Sequence, residues 1–365
     1  MRVLVVNAGS SSIKLSLIGD QDETLAEREL TATQSTVDAT ELRAALDAGL
    51  RDADVVGHRI VHGGERFRDP VRIDAGVEAA LRDLVALAPL HQPKSLMALD
   101  AVSEALPDLP AVACFDTAFH ATLPPAAHTY ALPTAWRERW GVRRYGFHGL
   151  SHAWIAHRAP QLIDHDAAQP RIVSCHLGAG ASLCAIAGGR SIDTTMGFTP
   201  LEGLVMATRS GSVDPGLLLW LIEQTGMAER ELARVLEHES GLLGLAGSAD
   251  MRVVLAQAAA GDDSAQLALD VFVHRLTGGI AAMAAELGGL DVLAFSGGVG
   301  DRASEVRARA AAAVAFLGVA VDASSNTAAT GEPDLEITGA PASARVLVIR
   351  AREDLEIARQ SRAIL

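Results

Sequence analysis

Arg59 falls near the end of an apolar run at positions 55–61, inside Gly57-His-Arg-Ile-Val-His-Gly-Gly-Glu65. A charge at the end of a buried strand is costly unless it is paired. A guanidinium there suits bidentate recognition of a carboxylate or phosphate; a structural ion pair is the plainer alternative. Arg209 lies in the polar turn Met206-Ala-Thr-Arg-Ser-Gly-Ser-Val-Asp-Pro215, just before a helix that begins near Pro215. An arginine so placed can neutralise equatorial phosphoryl oxygens, which for arginine fingers is worth about 10³–10⁵ in rate. A surface-loop arginine would read the same. Asp116 ends a second apolar run, at 112–115, in Phe115-Asp-Thr-Ala-Phe-His120. Ligands of α/β sheets sit at that strand edge, although an Asp there also caps a following helix. His148, between glycines in Tyr145-Gly-Phe-His-Gly-Leu-Ser-His152, is sterically open. It suits donation of a hydrogen bond to a transferring phosphoryl group. With His152 and His157 it makes HxxxH, a weak zinc signal without a Glu after the first His.

Three small-residue turns surround these groups. Asn7 to Lys14 reads NAGSSSIK, with Asn7 at a strand end where its amide oxygen suits Mg²⁺. The run His176-Leu-Gly-Ala-Gly-Ala-Ser-Leu183 can be laid over Val6-Asn-Ala-Gly-Ser-Ser-Ser-Ile13, a weak internal repeat of strand, turn and strand. Such turns form anion-binding concavities without any lysine; two unrelated hairpins are the alternative. The third turn follows an apolar run at 292–296 and reads GxGxxA, with Asp322 about 20 residues on. That resembles a dinucleotide fingerprint, but too little chain follows to complete such a domain. The same turn can cradle the adenosine and α-phosphate of ATP.

The elements that position these groups are legible from the apolar runs. Strands are expected at 3–6, 13–17, 55–61, 112–115, 171–176, 182–187, 190–194, 292–296 and 346–349. Helices are expected at 77–90, through an Ala-rich stretch at 264–287, and at 353–363. Hydrophobic residues make up 49% of the 365 and aromatics only 4%, so the cores are aliphatic, as in α/β proteins. The length suits two domains. The net charge of −14 argues against a nucleic-acid partner. Lys14 and Lys94 are the only lysines, and neither completes a P-loop. Cys114, Cys175 and Cys184 show no CxxC spacing and read as buried thiols in a reducing, cytoplasmic setting. The apolar run at the start is too short for a signal peptide, and the run at 310–321 is too short to span a bilayer.

Together the runs VVNAGSSSIK, GHRIVHGGE, APLHQP, FDTAFH, YGFHGLSH, HLGAGAS, DTTMGFTPLEGLVMATRSGSVDP, FSGGVGD and REDLEIA resemble the acetate kinase family, in the family's order and from end to end. The resemblance implies an α/β fold of two related actin-like (ribonuclease H-like) domains. Each has a five-stranded mixed sheet with flanking helices, and the active site lies in the interdomain cleft. It places residues 1–120 plus 353–365 in a first domain, on the acyl and metal side. Residues 121–352 form a second, on the nucleotide and dimer side. It implies reversible transfer of the ATP γ-phosphoryl group to acetate, giving acetyl phosphate and ADP. Propionate or another short acid, or non-catalytic nucleotide binding on the same fold, are the alternatives. Mg²⁺, replaceable by Mn²⁺, is the implied metal, and a homodimer without membrane contact the implied assembly.

By matching position, Asn7 and Glu353 take the metal. Arg59, His91, Asp116, His148 and Arg209 take catalytic roles. Val61, Leu90, Phe147 and Pro200 form the acyl pocket. Lys14, His176, Leu177, Gly178, Ala179, Gly180, Asp250, Met251, Arg252, Gly298, Val299, Gly300, Asp301 and Arg302 are the nucleotide contacts. The chain departs from the family pattern at Ala179 (usually Asn), Ser212 (usually Asp), Gln92 (usually Asn) and Asp301-Arg302 (usually Glu-Asn).

Overall fold

The structure, a computed structural model, describes residues 1–9, 12–31, 39–89, 91–163, 169–331 and 334–365. The chain divides into two compact units, one of residues 1–121, 147–154 and 352–365, the other of residues 122–146 and 155–351. Residues 147–154, expected in the second domain, group with the first unit. There Leu150 and Trp154 pack with Val112 and Cys114.

The first unit is built on strands β1 (Val3–Ala8), β2 (Ser12–Ile18), β3 (Thr24–Thr31), β4 (Val55–Ile60), β5 (Val71–Arg72) and β6 (Ala111–Phe115). Their order is β3-β2-β1-β4-β6-β5. The pairs β1/β4 and β4/β6 are parallel and the rest antiparallel. The central strands are continuous apolar runs because both faces are covered. Leu4, Val6 and Val56 pack with Leu42 and Leu46 of α1 (Ala39–Asp47) and with Ala98 and Val102 of α3 (Gln92–Ala105). Helix α2 (Ala75–Asp83) buries Val77 and Leu81 beside Ile60 and Phe115. On the opposite face Val3, Val5 and Val55 meet Leu355, Ile357 and Ala358 of the C-terminal helix, Glu353–Ile364. Gly57 permits that approach, since a Cβ there would lie 2.5 Å from Ser361 Oγ and 2.7 Å from Ile357 Cγ2. The single helix expected over 77–90 instead ends at Asp83. A 3₁₀ turn, Leu84–Leu87, follows, and α3 starts with Pro93 in its first turn, where a missing N–H costs nothing.

The second unit repeats the plan. Its strands are β7 (Ile172–Leu177), β8 (Ala181–Ala187), β9 (Arg190–Thr194), β10 (Val292–Ser296), β11 (Leu335–Glu336) and β12 (Arg345–Val348), in the order β11-β12-β10-β7-β8-β9. Read from the other end, this is the first sheet strand for strand, with β7/β10 and β10/β12 parallel. The short β-turn-β repeat is thus one corner of a whole duplicated sheet. Each sheet has six strands where five were expected, because β5 and β11 are two-residue edge strands too short to show a period. The mixed sheet also removes the dinucleotide-fold reading of GxGxxA, which needs a run of parallel strands.

Helices α4 (Pro215–Thr225), α5 (Met251–Ala259), α6 (Asp263–Glu286), α7 (Gly297–Arg302), α8 (Ser304–Ala313) and α9 (Ala323–Ala328) belong to this unit. By length and composition α6 could cross a membrane. Its Leu269, Phe272, Leu276 and Ile280 are instead buried, and Gly279 lies close enough to Leu183 that a Cβ would sit 2.6 Å from its Cδ1. The three cysteines are buried free thiols.

Candidate active site

In the first unit the parallel strands β1, β4 and β6 deliver their C-terminal ends to one edge of the sheet, where ligands of α/β proteins sit. Arg59 stands one residue from the end of β4, Asp116 directly follows β6, and Asn7 is near the end of β1. Glu353 opens the C-terminal helix. The four converge. Arg59 Nε donates to Asp116 Oδ1 and Oδ2 at 3.0 and 3.1 Å, and Nη2 donates to Oδ2 at 2.7 Å. Arg59 Nη1 donates to Asn7 Oδ1 at 3.0 Å and lies 3.6 Å from Glu353 Oε2. Asn7 Nδ2 donates to the same Glu353 oxygen at 2.9 Å. The structural ion pair weighed for Arg59 is therefore present, in bidentate form.

Burial disfavours the Arg59 guanidinium, but Asp116 and Glu353 outweigh it and its pKa rises above the usual value. Burial pushes the Asp116 carboxyl up while Arg59 opposes. The guanidinium keeps its proton, so its bidentate contact favours the ionised carboxylate against that burial. The cluster sets one guanidinium against two carboxyl groups. Its donor set is hard oxygen. That fits a magnesium ion which brings water and phosphate oxygens of its own, not an all-protein cage. Among the described residues no group of three His, Cys, Asp or Glu is arranged to hold a metal.

His148 is anchored to the same edge. Its φ is +56°, a left-handed conformation uncommon outside glycine. Gly149 N donates to the Asp116 carbonyl at 2.8 Å, and a Cβ at Gly149 would lie 2.2 Å from that oxygen. Only glycine lets the turn come so near. His120 Nε2 bonds the Phe147 carbonyl at 3.0 Å, and the Phe147 ring meets His62 edge-on at 5.6 Å. Phe147 and Val61 are buried. Lys14 is exposed on β2, opposite Asn7 in the register. His91 directly precedes α3, and Leu90 lies outside the described residues.

Gln92, next to His91, was not foreseen as a positioning group. Its Oε1 accepts from His62 N at 3.1 Å and its Nε2 donates to His62 O at 3.2 Å, which fixes the Gly57–Glu65 turn. Thr117 Oγ1 accepts from Gly63 N at 3.0 Å. Burial lowers the pKa of His58 to about 3 and that of His62 to about 4, so both are neutral.

In the second unit Arg209 is held by Glu237, with Nε 3.2 Å from Oε2, and donates to the Pro200 carbonyl at 3.3 Å. Burial lowers its pKa and Glu237 opposes. Its backbone turn is tight: a Cβ at Gly241 would lie 2.2 Å from Met206 O and 2.7 Å from Arg209 O. Ser212, where the family pattern has Asp, accepts from Gly203 N through its Oγ at 3.0 Å.

The same unit holds a 460 Å³ pocket. Gly178 and Ala179 of the β7–β8 turn form part of its wall, with Asp250, Met251 and Arg252 at the start of α5, and Gly298, Val299 and Arg302 of α7. Its remaining lining is apolar, from Ala207, Leu242, Leu255 and Phe272 among others. Three segments 46 to 124 positions apart by number, all expected to touch nucleotide, thus meet around one cavity. His176, Leu177, Gly180, Gly300 and Asp301 are not in its lining; Leu177 and Gly300 are buried behind it. Asp250 caps α5, accepting from Arg252 N at 2.9 Å, and also receives the Arg252 guanidinium. Asp301 Oδ1 is buried with no hydrogen-bond partner among the described residues. Burial raises the Asp301 pKa to about 7 against the pull of Arg302, Arg307 and Arg350.

Comparison with known proteins gives a consistent answer. Residues 26–359 match the profile of the Acetokinase family. The chain is 44% identical to an acetate kinase of Nostoc punctiforme over 406 residues, covering 100% of both. Its structure is similar to the crystal structure of Porphyromonas gingivalis acetate kinase, with TM-score 0.91, 34% identity and coverage of 100% and 99%. It is equally similar to a propionate kinase from Francisella tularensis subsp. tularensis, with TM-score 0.93, 33% identity and 100% coverage of both chains.

Proposed function

The chain belongs to the acetokinase family, and we propose from that premise that it catalyses reversible transfer of the ATP γ-phosphoryl group to acetate, giving acetyl phosphate and ADP. The observation that carries this reading is the Arg59–Asp116–Asn7–Glu353 cluster at the strand edge of a chain that aligns end to end with acetate kinases. A carboxylate substrate is already ionised near neutral pH, so no strong base is required. Direct in-line displacement then depends on positioning and charge neutralisation. Arg59, already arranged for bidentate contact with a carboxylate, binds and orients an anionic substrate group. His148 donates to the transferring phosphoryl, and Arg209 neutralises its oxygens. Asp116 orients Arg59. Asn7 and Glu353 would hold Mg²⁺, which when bound would screen phosphate charge. The pocket lined by Gly178, Asp250 and Gly298 receives the nucleotide.

The family resemblance assigns Val61, Phe147 and Pro200 to the acyl wall. Acetate and propionate differ there by one methylene, worth about 1–3 kcal/mol. The match to a propionate kinase structure favours propionate as a second substrate. A homodimer is supported by α4, whose Leu217, Leu219 and Trp220 are exposed. The buried free thiols suit the cytoplasm.

Hydroxylamine trapping tests the reading. Protein, Mg·ATP and acetate are expected to yield hydroxamate, with a lower rate on propionate and least on butyrate. ATP binding without hydroxamate from any of the three acids would reduce the protein to a nucleotide binder.

A further inference from the structure

Arg307, on α8, is fully buried. A buried guanidinium is expensive unless every donor is answered, and the usual answer is a carboxylate. Among the described residues its hydrogen bonds go only to neutral acceptors. Nε donates to Asn326 Oδ1 at 2.8 Å, Nη1 to Gly300 O at 2.7 Å, and Nη2 to Asn326 O at 2.6 Å and Ala329 O at 2.8 Å. The three carbonyls come from the C-terminal ends of α7 and α9, where helical C=O groups lack intrahelical partners. Asn326 is itself fixed, since its Nδ2 donates to Ser304 O at 2.9 Å.

The acceptor on α7 matters most. Gly298, Val299 and Arg302 of that helix line the 460 Å³ pocket, facing Gly178 and Ala179 in the same lining. At the front α7 is pressed against β7: Gly297 has φ +79°, and a Cβ there would lie 2.7 Å from Leu177 O. At the back, Arg307 Nη1 ties it through the Gly300 carbonyl. Movement of α7 changes the pocket's width directly.

We propose that Arg307 is a positioning residue for the phosphoryl donor: it clamps the Gly297–Arg302 helix to α9 and so sets the shape of the nucleotide pocket without touching the nucleotide. This rests on the reading of that pocket as the nucleotide site. An arginine retained only for stability would have no reason to act on one substrate more than the other.

The test uses the full chain in three variants, each checked for cooperative urea unfolding. Arg307→Lys keeps the charge and loses the fork. Asn326→Ala removes one acceptor of the clamp and the tie to Ser304. Leu255→Trp fills the pocket itself. The expected result for Arg307→Lys is a roughly tenfold rise in KM for ATP and in Kd for Mg·ADP, the loss of about one charge-assisted bond. The KM for acetate stays within about twofold. Asn326→Ala shifts the same two constants in the same direction, and carries the test if Arg307→Lys fails to fold. Leu255→Trp abolishes calorimetric Mg·ADP binding. If Leu255→Trp still binds Mg·ADP normally, the nucleotide reading of the pocket falls and this inference with it. If Leu255→Trp loses binding but the clamp variants raise both KM values equally or neither, the inference alone is overturned.

Discussion

Each unit holds an arginine near a strand-end turn, Arg59 partly buried and Arg307 fully, and the two are answered in opposite ways. Arg59 meets Asp116 and Glu353, which hold its pKa above the usual value. Arg307 meets carbonyl oxygens, and burial pushes its pKa down to about 10 with Asp301 opposing. An arginine paired to carboxylates at a sheet edge can exchange part of that pairing for an anionic ligand. An arginine spread over backbone carbonyls fixes the path of the chain. The first unit therefore places charge, and the second shapes a cavity from backbone and apolar side chains.

The comparison breaks most easily at Arg59. Arg59→Met removes the cation that pairs with Asp116 and Glu353. Turnover is expected to fall by about 10³ or more. Stability is expected to drop by about 3–5 kcal/mol, because the buried Asp116 loses its guanidinium partner. Initial rates and urea unfolding measure both. A variant that folds normally and turns over within tenfold of wild type would show that the transfer does not depend on Arg59.

Gly149→Ala is the next largest. The added Cβ collides with the Asp116 carbonyl, so the His148 turn must shift. The expected outcome is a destabilisation of about 1–3 kcal/mol, with a fall in kcat larger than the change in either KM. An unchanged kcat would remove His148 from the transfer step.

Individual buried groups in the two units also differ in the sign of their pH response. His58 and His62 have pKa values depressed to about 3 and about 4 in the folded protein. The unfolded chain takes up their protons first, so stability is lost as pH falls below about 6.5. Asp301 is raised to about 7, so the folded state binds the extra proton. Its contribution is present below about 4 and is lost as pH rises through 7. Each group contributes a slope of at most about 1.4 kcal/mol per pH unit. His58→Leu is expected to flatten the acid limb of a urea-midpoint profile, and Asp301→Asn the limb from pH 5 to 8. Profiles that match wild type would show that neither group titrates as its burial dictates.

The smallest effect is expected at Ala179. Restoring the family's amide with Ala179→Asn adds a polar group to the pocket wall. That should lower KM for ATP by about threefold to tenfold, one hydrogen bond's worth. A higher KM would mean that the apolar lining is itself selected for the donor used.

Much of this was legible in the sequence. The central strands announce themselves as apolar runs ending in Asn7, Arg59, Asp116 and His176, because both faces of each sheet are covered. Strand β3, Thr24–Thr31, did not: it carries Glu27, Arg28 and Glu29 at a sheet edge and shows no apolar run. The two-residue strands β5 and β11 give no period at all. The partners of the site were least legible. Gln92 with His62, Glu237 with Arg209, and Arg307 with Gly300 are side-chain pairings between different elements, set by packing. Spacing along the chain does not encode them. The motif turns, by contrast, are local and carry their own glycines, as at Gly149 and Gly297, where a Cβ would strike backbone.

Arg209 offers the most direct measurement. Its variant Arg209→Ala should be titrated with Mg·ADP by calorimetry and assayed for acetyl phosphate formation on the same preparation. The account predicts nucleotide affinity within about threefold of wild type and turnover lower by about 10³. Turnover close to wild type would contradict it.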